Sequence, residues 1–420
     1  MPKPFAWILA AVTALVLALV GAAIVVWTVR PDPTVGALDT ELEGVTVSEG
    51  KTVAPAPRPP APEERHDRRC WLEFGGSPLR TLARPGARLG LPRKRPLWTR
   101  VLDSYIEFAP VTCDGTLYVN SLRGTTYAID ARTGRIEWTT RVGGTMPSSP
   151  AIDGPRLIVS SQAGTVTALD RRTGRKLWRV QTPGKVESSP VVVDGIAYFG
   201  SHDGRLFAVS AGTGEVRWAY QTHGRINASP TVVRDRVCIA NYAGAFVCLD
   251  RRTGAELWTT YVQRDPLRYE SFYASASSDG SRLYSVARSG KVVALDLGSG
   301  EIVWTARVGP LGYTTPAVAR DRVFAGGFDG RLRAFRRSTG EELWSTDVGG
   351  RIFGAPIVVG DTVFFSVHDG RTYGLRVSDG KIVWRLPMGR YSPGIATERT
   401  YFFSLNARLI AYRGRNVPAR

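Results

Sequence analysis

From about residue 95 onward, apolar and polar residues alternate in short runs, none longer than a strand. One stretch shows the rule. After Ser149-Pro150 comes AID, then RLIVSS, a turn at QAG, TVTALD, a turn at RRTG, and RKLWRVQT. These are four β-rich runs separated by turn residues. Helical periodicity is absent, and a unit of about 40 residues leaves no room for a crossover helix. Each unit therefore predicts a four-stranded antiparallel sheet.

The unit recurs in phase. Trp98, Trp138, Trp178, Trp218, Trp258, Trp304, Trp344 and Trp384 are spaced 40, 40, 40, 40, 46, 40 and 40 residues apart. A Gly opens the third run in seven units, from Gly124 to Gly370, and Ala407 takes the eighth place. Thr-Gly, or Ser299-Gly300 and Asp379-Gly380, precedes the fourth run. A Pro stands before the first run in every unit but the fifth, where Ala276 replaces it. The last unit lacks a Trp run after it, and the first Trp, in RPLWTRVL, has no unit before it. The N-terminal strand is expected to complete the last blade. This gives an all-β fold: an eight-bladed β-propeller of four-stranded antiparallel blades over residues 95–420, closed without an open sheet edge.

The pattern G-x-x-x-A-L-D-x-x-T-G-x-x-x-W, as in GTVTALDRRTGRKLW, resembles the pyrroloquinoline-quinone (PQQ)-like repeat. The resemblance covers the eight in-phase copies. In the lead-in at 68–94, CWLEFGGSPLRT is similar to the lead-in of exported members of this family. The resemblance implies a propeller and two kinds of relative. One is the quinoprotein alcohol dehydrogenases. They hold PQQ beneath a disulfide of adjacent cysteines and give Glu, Asn and Asp to a Ca²⁺ ion. The other is non-enzymatic scaffolds, among them the propeller lipoprotein of the outer-membrane β-barrel assembly machine.

The N-terminal region differs in composition. Phe5 to Val29 carries no charge and is long enough to cross a bilayer, with Trp7 and Trp27 near its ends. A cleaved signal peptide would have a shorter apolar core, so residues 5–29 are expected to form a signal-anchor transmembrane helix. Residues 1–4 would be cytoplasmic. Residues 30–67, rich in Pro, Ala and charge, read as a semi-stiff linker. The expected location is a cell membrane, single-pass, with the propeller outside the cytoplasm.

Charge changes this picture little. The net charge is +18, almost all from Arg. The Arg residues are scattered through every repeat, and no nucleic-acid motif accompanies them, so nucleic acid is not an expected partner. An anionic polymer remains a candidate. There are four cysteines. Cys238 and Cys248 flank a tight turn and can face each other across a hairpin, and Cys70 and Cys113 can tie the lead-in to the first blade. Buried thiols are the alternative.

No catalytic, cofactor or metal site emerges. A Trp repeated at one strand position does one packing job in every blade, with its N–H seeking a partner. Asp130, Asp170, Asp250 and Asp296 are expected to bond their own turns. His202 and His368 share a turn position in distant blades, His223 lies in a loop and His66 in the linker, none with metal-ligand spacing. No two cysteines are adjacent, which departs from the quinoprotein pattern. The 46-residue spacing marks an insertion, YVQRDPLRYESFYAS at 261–275. Its Arg264, Arg268, Tyr269, Phe272 and Tyr273 are candidate contact residues. The expected function is a membrane-anchored, non-catalytic scaffold for an envelope protein partner, without a cofactor. A PQQ-dependent dehydrogenase and a ligand- or anionic-polymer-binding sensor are the alternatives.

Overall fold

The computed structural model describes residues 70–416, apart from 85, 86 and 392. The expected membrane helix and the linker lie outside the described residues. Among the described residues no helix is long and apolar enough to cross a membrane.

The repeat folds as its pattern dictates. In blade 2, Ala151–Asp153, Arg156–Ser161, Thr165–Asp170 and Lys176–Gln181 pair antiparallel in that order. Six other blades repeat this arrangement. The middle two strands are buried on both faces, which explains their near-continuous Val, Leu, Ala and Phe. The eighth blade takes its first three strands from the C-terminus, Gly394–Ala396, Thr400–Leu405 and Arg408–Asn416. Its outer strand, Trp98–Val101, comes from the N-terminus and pairs antiparallel with Arg408–Asn416. The propeller is thus closed by its own two ends. Leu89–Pro92 pairs with the far end of the same C-terminal strand.

Neighbouring blades are joined by one repeated clasp. The indole Nε1 of Trp218 donates to Arg251 O of the next blade at 3.2 Å. Trp98, Trp138, Trp178, Trp258, Trp304 and Trp344 donate in the same way at 2.9–3.1 Å. The ring lies on the turn glycine of that next blade. Gly254 has φ +74°, and a Cβ there would stand 2.8 Å from the Trp218 ring. The Thr-Gly turn therefore needs glycine twice over, for its backbone and for the indole. At the seam, where blade 8 has no such turn, Trp384 instead stacks on Phe403 with centroids 5.2 Å apart.

The turn aspartates work locally. Asp130 Oδ1 accepts from the N–H groups of Arg132 and Thr133 and from the Thr133 hydroxyl. These bonds, the hydroxyl's first, hold its carboxyl below the usual value, and Asp170 repeats them with Thr173. Some of the arginine excess is also spent between blades, as Arg171–Asp114 at 2.8 Å and Arg320–Asp361 at 2.6 Å.

The lead-in is a plug. Each blade leaves its innermost strand unpaired toward the axis, an edge that must be satisfied. Seven of these strands give one backbone N–H to the segment 71–82. Thr112, Ile152, Val232, Ser278, Val318 and Val358 donate to the carbonyls of Trp71, Leu72, Pro78, Leu79, Thr81 and Leu82 at 2.8–2.9 Å. Val192 donates to the Glu73 carboxylate at 3.3 Å. The segment therefore visits blades 1 to 7 in order and ends as Ala83–Arg84, paired parallel with Ile357–Val359.

Arg80 pins the plug. It is fully buried, and its guanidinium donates to the carbonyls of Pro230, Phe74 and Ser189. Burial lowers its pKa to about 10 against the opposing pull of Glu73. Burial likewise raises Glu73, to about 7, against Arg80 and the Val192 N–H. A disulfide joins Cys70, at the start of the plug, to Cys113 of blade 1. A second joins Cys238 to Cys248, directly opposed on adjacent strands of blade 4.

Candidate functional site at the channel mouth

Strand alternation puts two connections of every blade on one face: the turn between its second and third strands, and the link from its outer strand to the next blade. Backbone bonds tie them together. His202 N donates to Lys185 O and Tyr242 N to Arg225 O, both at 2.9 Å. Just above the inner strands, hydroxyls form a belt from blade to blade. The N–H groups of Ser149, Ser189, Ser229 and Ser275 donate to the side-chain oxygens of Ser189, Ser229, Ser275 and Thr315 at 2.8–3.1 Å.

Above this belt the regularity stops. The position three residues before each inner-strand Pro, or before Ala276, holds Glu107, Pro147, Glu187, Asn227, Tyr273, Tyr313, Phe353 and Arg390 in turn. The first seven line a cavity of about 400 Å³ at the mouth of the channel, with Tyr391 beside them. Phe74 of the plug and Phe108, edge to face at 5.3 Å, lie in its wall. The plug thus turns the channel into a cup.

The cup has two unlike sides. Blades 2 to 4 supply a polar cluster around Glu187, which accepts from Gln162 Nε2 at 2.7 Å and Asn227 Nδ2 at 2.5 Å, with His202 Nε2 at 3.5 Å. Burial pushes this carboxyl up. Hydrogen bonds from His202, Asn227 and Gln162, with the attraction of His202, outweigh burial and hold it below its ordinary value. Blades 4 to 8 supply an aromatic belt. Tyr273 packs on Tyr242 and Tyr313 with centroids 6.4 and 5.5 Å apart, Tyr313 stacks on Phe328 at 5.2 Å, and Phe353 follows at 4.3 Å from Phe328. Burial, then the charges of Glu107 and Glu187, push the Tyr273 hydroxyl well above its usual range, so it stays neutral.

These side chains escaped the sequence reading, except Tyr273. The signal was present: the third position before the Pro differs in nearly every blade, while the Pro, Gly and Trp around it hardly change.

The insertion lies on the same face. Gln263–Asp265 and Arg268–Tyr269 pair as a small hairpin. It is anchored by buried Glu270, which accepts from Ser289 Oγ at 2.7 Å and lies 3.6 Å from Lys291 Nζ. Leu267 at its tip is 88% exposed and Tyr269 48% exposed. Arg264 is exposed, and Arg268 pairs with Asp265 at 3.1 Å. Phe272 corrects the sequence expectation. It is 0% exposed and packs on Phe246 with centroids 4.6 Å apart, so it belongs to the core and not to a contact surface.

Comparison with known proteins agrees with this architecture. The sequence model of a family described as outer membrane protein assembly factor BamB matches residues 92–266 and 248–419. The chain belongs to that family. No curated protein matches the sequence. BamB from Moraxella catarrhalis has a similar structure, with TM-score 0.66 and 20% identity over 76% of this chain and 99% of that one. The quinohemoprotein alcohol dehydrogenase from Comamonas testosteroni gives TM-score 0.67 and 16% identity over 84% of this chain and 82% of that one. The computationally designed Ika8 protein gives 0.64 and 14%, over 75% and 98%. At these identities the structural likenesses carry the fold alone.

The quinoprotein likeness raises the question of whether the cup suits PQQ and its Ca²⁺. Neither disulfide lines the cup. Of the Glu, Asn and Asp that the resemblance asks for, Glu107, Glu187 and Asn227 line the cup, and Glu187 and Asn227 are committed. Asn227 gives its amide N–H to Glu187, and its oxygen accepts from Arg225 Nε at 2.8 Å. No Asp lines the cavity. PQQ carries carboxylates of its own, which would face Glu107 and Glu187. The residues present do not fit that group. Among the described residues the one trio with metal-ligand spacing is Cys70, Cys113 and Asp114, and its two sulfurs are already bonded to each other.

Proposed function

We propose that this BamB-family propeller is a non-catalytic scaffold of the cell envelope, which offers its channel-mouth face to a protein partner. The observation that carries the reading is the hairpin at 263–269. It breaks the repeat on that face and holds a large apolar side chain, Leu267, almost wholly in solvent. Tyr269 and Arg264 flank it, residue types enriched at protein contacts. Tethering by the apolar segment 5–29, with the propeller outside the cytoplasm, belongs to the same proposal. Two disulfides suit such an oxidising compartment. A dehydrogenase is the weaker reading, because the cup lacks the sulfur cover and the Asp of that chemistry, and its Asn227 and Glu187 are committed to each other.

The test is affinity capture of the full-length chain after crosslinking in its own cells. Replacing only the hairpin 263–269 with a short turn, so that Phe272, Tyr273 and Ser275 stay in place, should abolish capture of a stoichiometric envelope protein while leaving the melting temperature nearly unchanged. Capture that survives the replacement would contradict the hairpin's role.

A further inference from the structure

The cup contains a carboxyl group that nothing in the described protein uses. Glu107 faces the cavity and makes no hydrogen bond or ion pair among the described residues. Its neighbour Glu187 is engaged by Gln162, Asn227 and His202. Burial and the charge of Glu187 push Glu107 up to about 7, and no cation among the described residues offsets them. A half-buried carboxyl without a partner, beside a second carboxylate, is costly to ionise, and such groups are retained where they serve a ligand or a mechanism.

The other wall says what kind of ligand. Tyr273, Tyr313 and Phe353 line the cavity beside Phe108 and Tyr391. The rim of this belt is already a cation-binding surface, because the protein's own arginines occupy it. Arg225 lies over Tyr242 at 4.5 Å, Arg390 over Tyr391 at 5.5 Å and over Tyr105 at 5.7 Å, and Arg351 over Phe328 at 6.0 Å. Of the rings that line the cup, Phe74 carries Arg80 and Tyr391 carries Arg390, whereas Tyr273, Tyr313, Phe353 and Phe108 carry no such contact among the described residues. An aromatic wall facing a carboxylate suits a cation with an apolar body, attracted by ring faces and carboxylate together.

We propose that the channel-mouth cup is a binding site for an organic cation, an ammonium or guanidinium group on an apolar stem, with Glu107 as its counter-ion and Tyr273, Tyr313 and Phe353 as its wall. The group can arrive on a free small molecule or on a Lys or Arg side chain of another protein. This site goes beyond the scaffold reading and does not depend on it, because the hairpin at 263–269 contributes nothing to the cup.

The test uses the full-length chain in detergent and two probes of one shape, phenethylammonium and neutral 2-phenylethanol. Binding is followed by titration calorimetry and saturation-transfer NMR. The ammonium should bind about tenfold more tightly than the alcohol, a preference that Glu107→Gln should erase. Equal affinity of the two probes for the unaltered protein would overturn the proposal, and that outcome needs no variant. A preference that persists in Glu107→Gln would overturn the role of Glu107. Tighter binding of glucose than of phenethylammonium would identify the cup as a neutral-sugar site and also overturn it. Capped lysine amide separates the two sources. Competition as strong as that of phenethylammonium points to a protein side chain, and much weaker competition points to a free compound.

Discussion

The two faces of the propeller are built from the same repeat and follow opposite rules. On the turn face, Asp-x-x-Thr-Gly or Asp-x-x-Ser-Gly turns recur in four blades and the same indole clasp at seven blade junctions, with N–H···O distances within a few tenths of an ångström. At the channel mouth, equivalent positions hold Glu, Pro, Glu, Asn, Tyr, Tyr, Phe and Arg. The first arrangement is what closing a ring of eight sheets demands. The second is not needed for closure, so it is free to carry recognition. A repeat protein thus separates scaffold from site by position within the unit, not by position along the chain.

The largest expected difference between the faces is in stability. Trp218→Ala should cost about 3–5 kcal/mol, because it empties a packed inter-blade contact and removes one of the two hydrogen bonds to Arg251 O, leaving that of the Tyr198 hydroxyl. Tyr313→Leu at the mouth should cost less than about 1 kcal/mol. Urea melts of the two variants check this, and equal losses would erase the distinction between the faces.

Next in size is the plug. Replacing Cys70 and Cys113 together by Ser should destabilise the protein by about 2–4 kcal/mol, since their bond closes a long loop. Limited proteolysis should then cut within 71–84 before any blade. Cleavage inside the blades first would mean that the plug is held without its latch.

A smaller effect separates the faces by pH. The Glu107 pKa is raised from an ordinary 4.5 to about 7. Its protonated form suits the fold, so its penalty is absent below about pH 4.5, grows as pH rises and is complete above about 7. Glu107→Gln should therefore raise the melting temperature at pH 8 and leave it unchanged at pH 4. The turn aspartate Asp170, held low by its own turn, should show the reverse sense when replaced by Asn: a loss at pH 8 and little change at low pH.

The smallest expected effect on stability is at Leu267. Leu267→Ser should move stability by less than about 0.5 kcal/mol, because the side chain has little to lose. The same change should weaken capture of the partner, which is the sharpest contrast with Trp218.

Blade count, strand order and closure by the two chain ends were legible in the sequence, because Trp, Gly and Pro recur at fixed phase and each has one physical task. The plug was not. Segment 71–82 has no alternation of its own, since its hydrogen bonds go to seven different blades and not to a neighbouring strand. Arg80 gave no signal, because nothing local shows that three carbonyls, two of them more than 100 residues away, converge on it. The cup was hidden for a related reason: its walls are single residues about 40 apart, brought together only by ring closure. Phe272 misled because an insertion rich in aromatics suggests exposure, whereas that ring fills the space beside Phe246.

The most direct test of the claim that the mouth is the working face is site-specific photocrosslinking in living cells. A benzoylphenylalanine would be placed at Leu267 on the mouth face or at Arg172 on the turn face, both exposed. One discrete crosslinked envelope partner is expected from position 267 and none from 172. A partner trapped from 172, with nothing from 267, would contradict that claim.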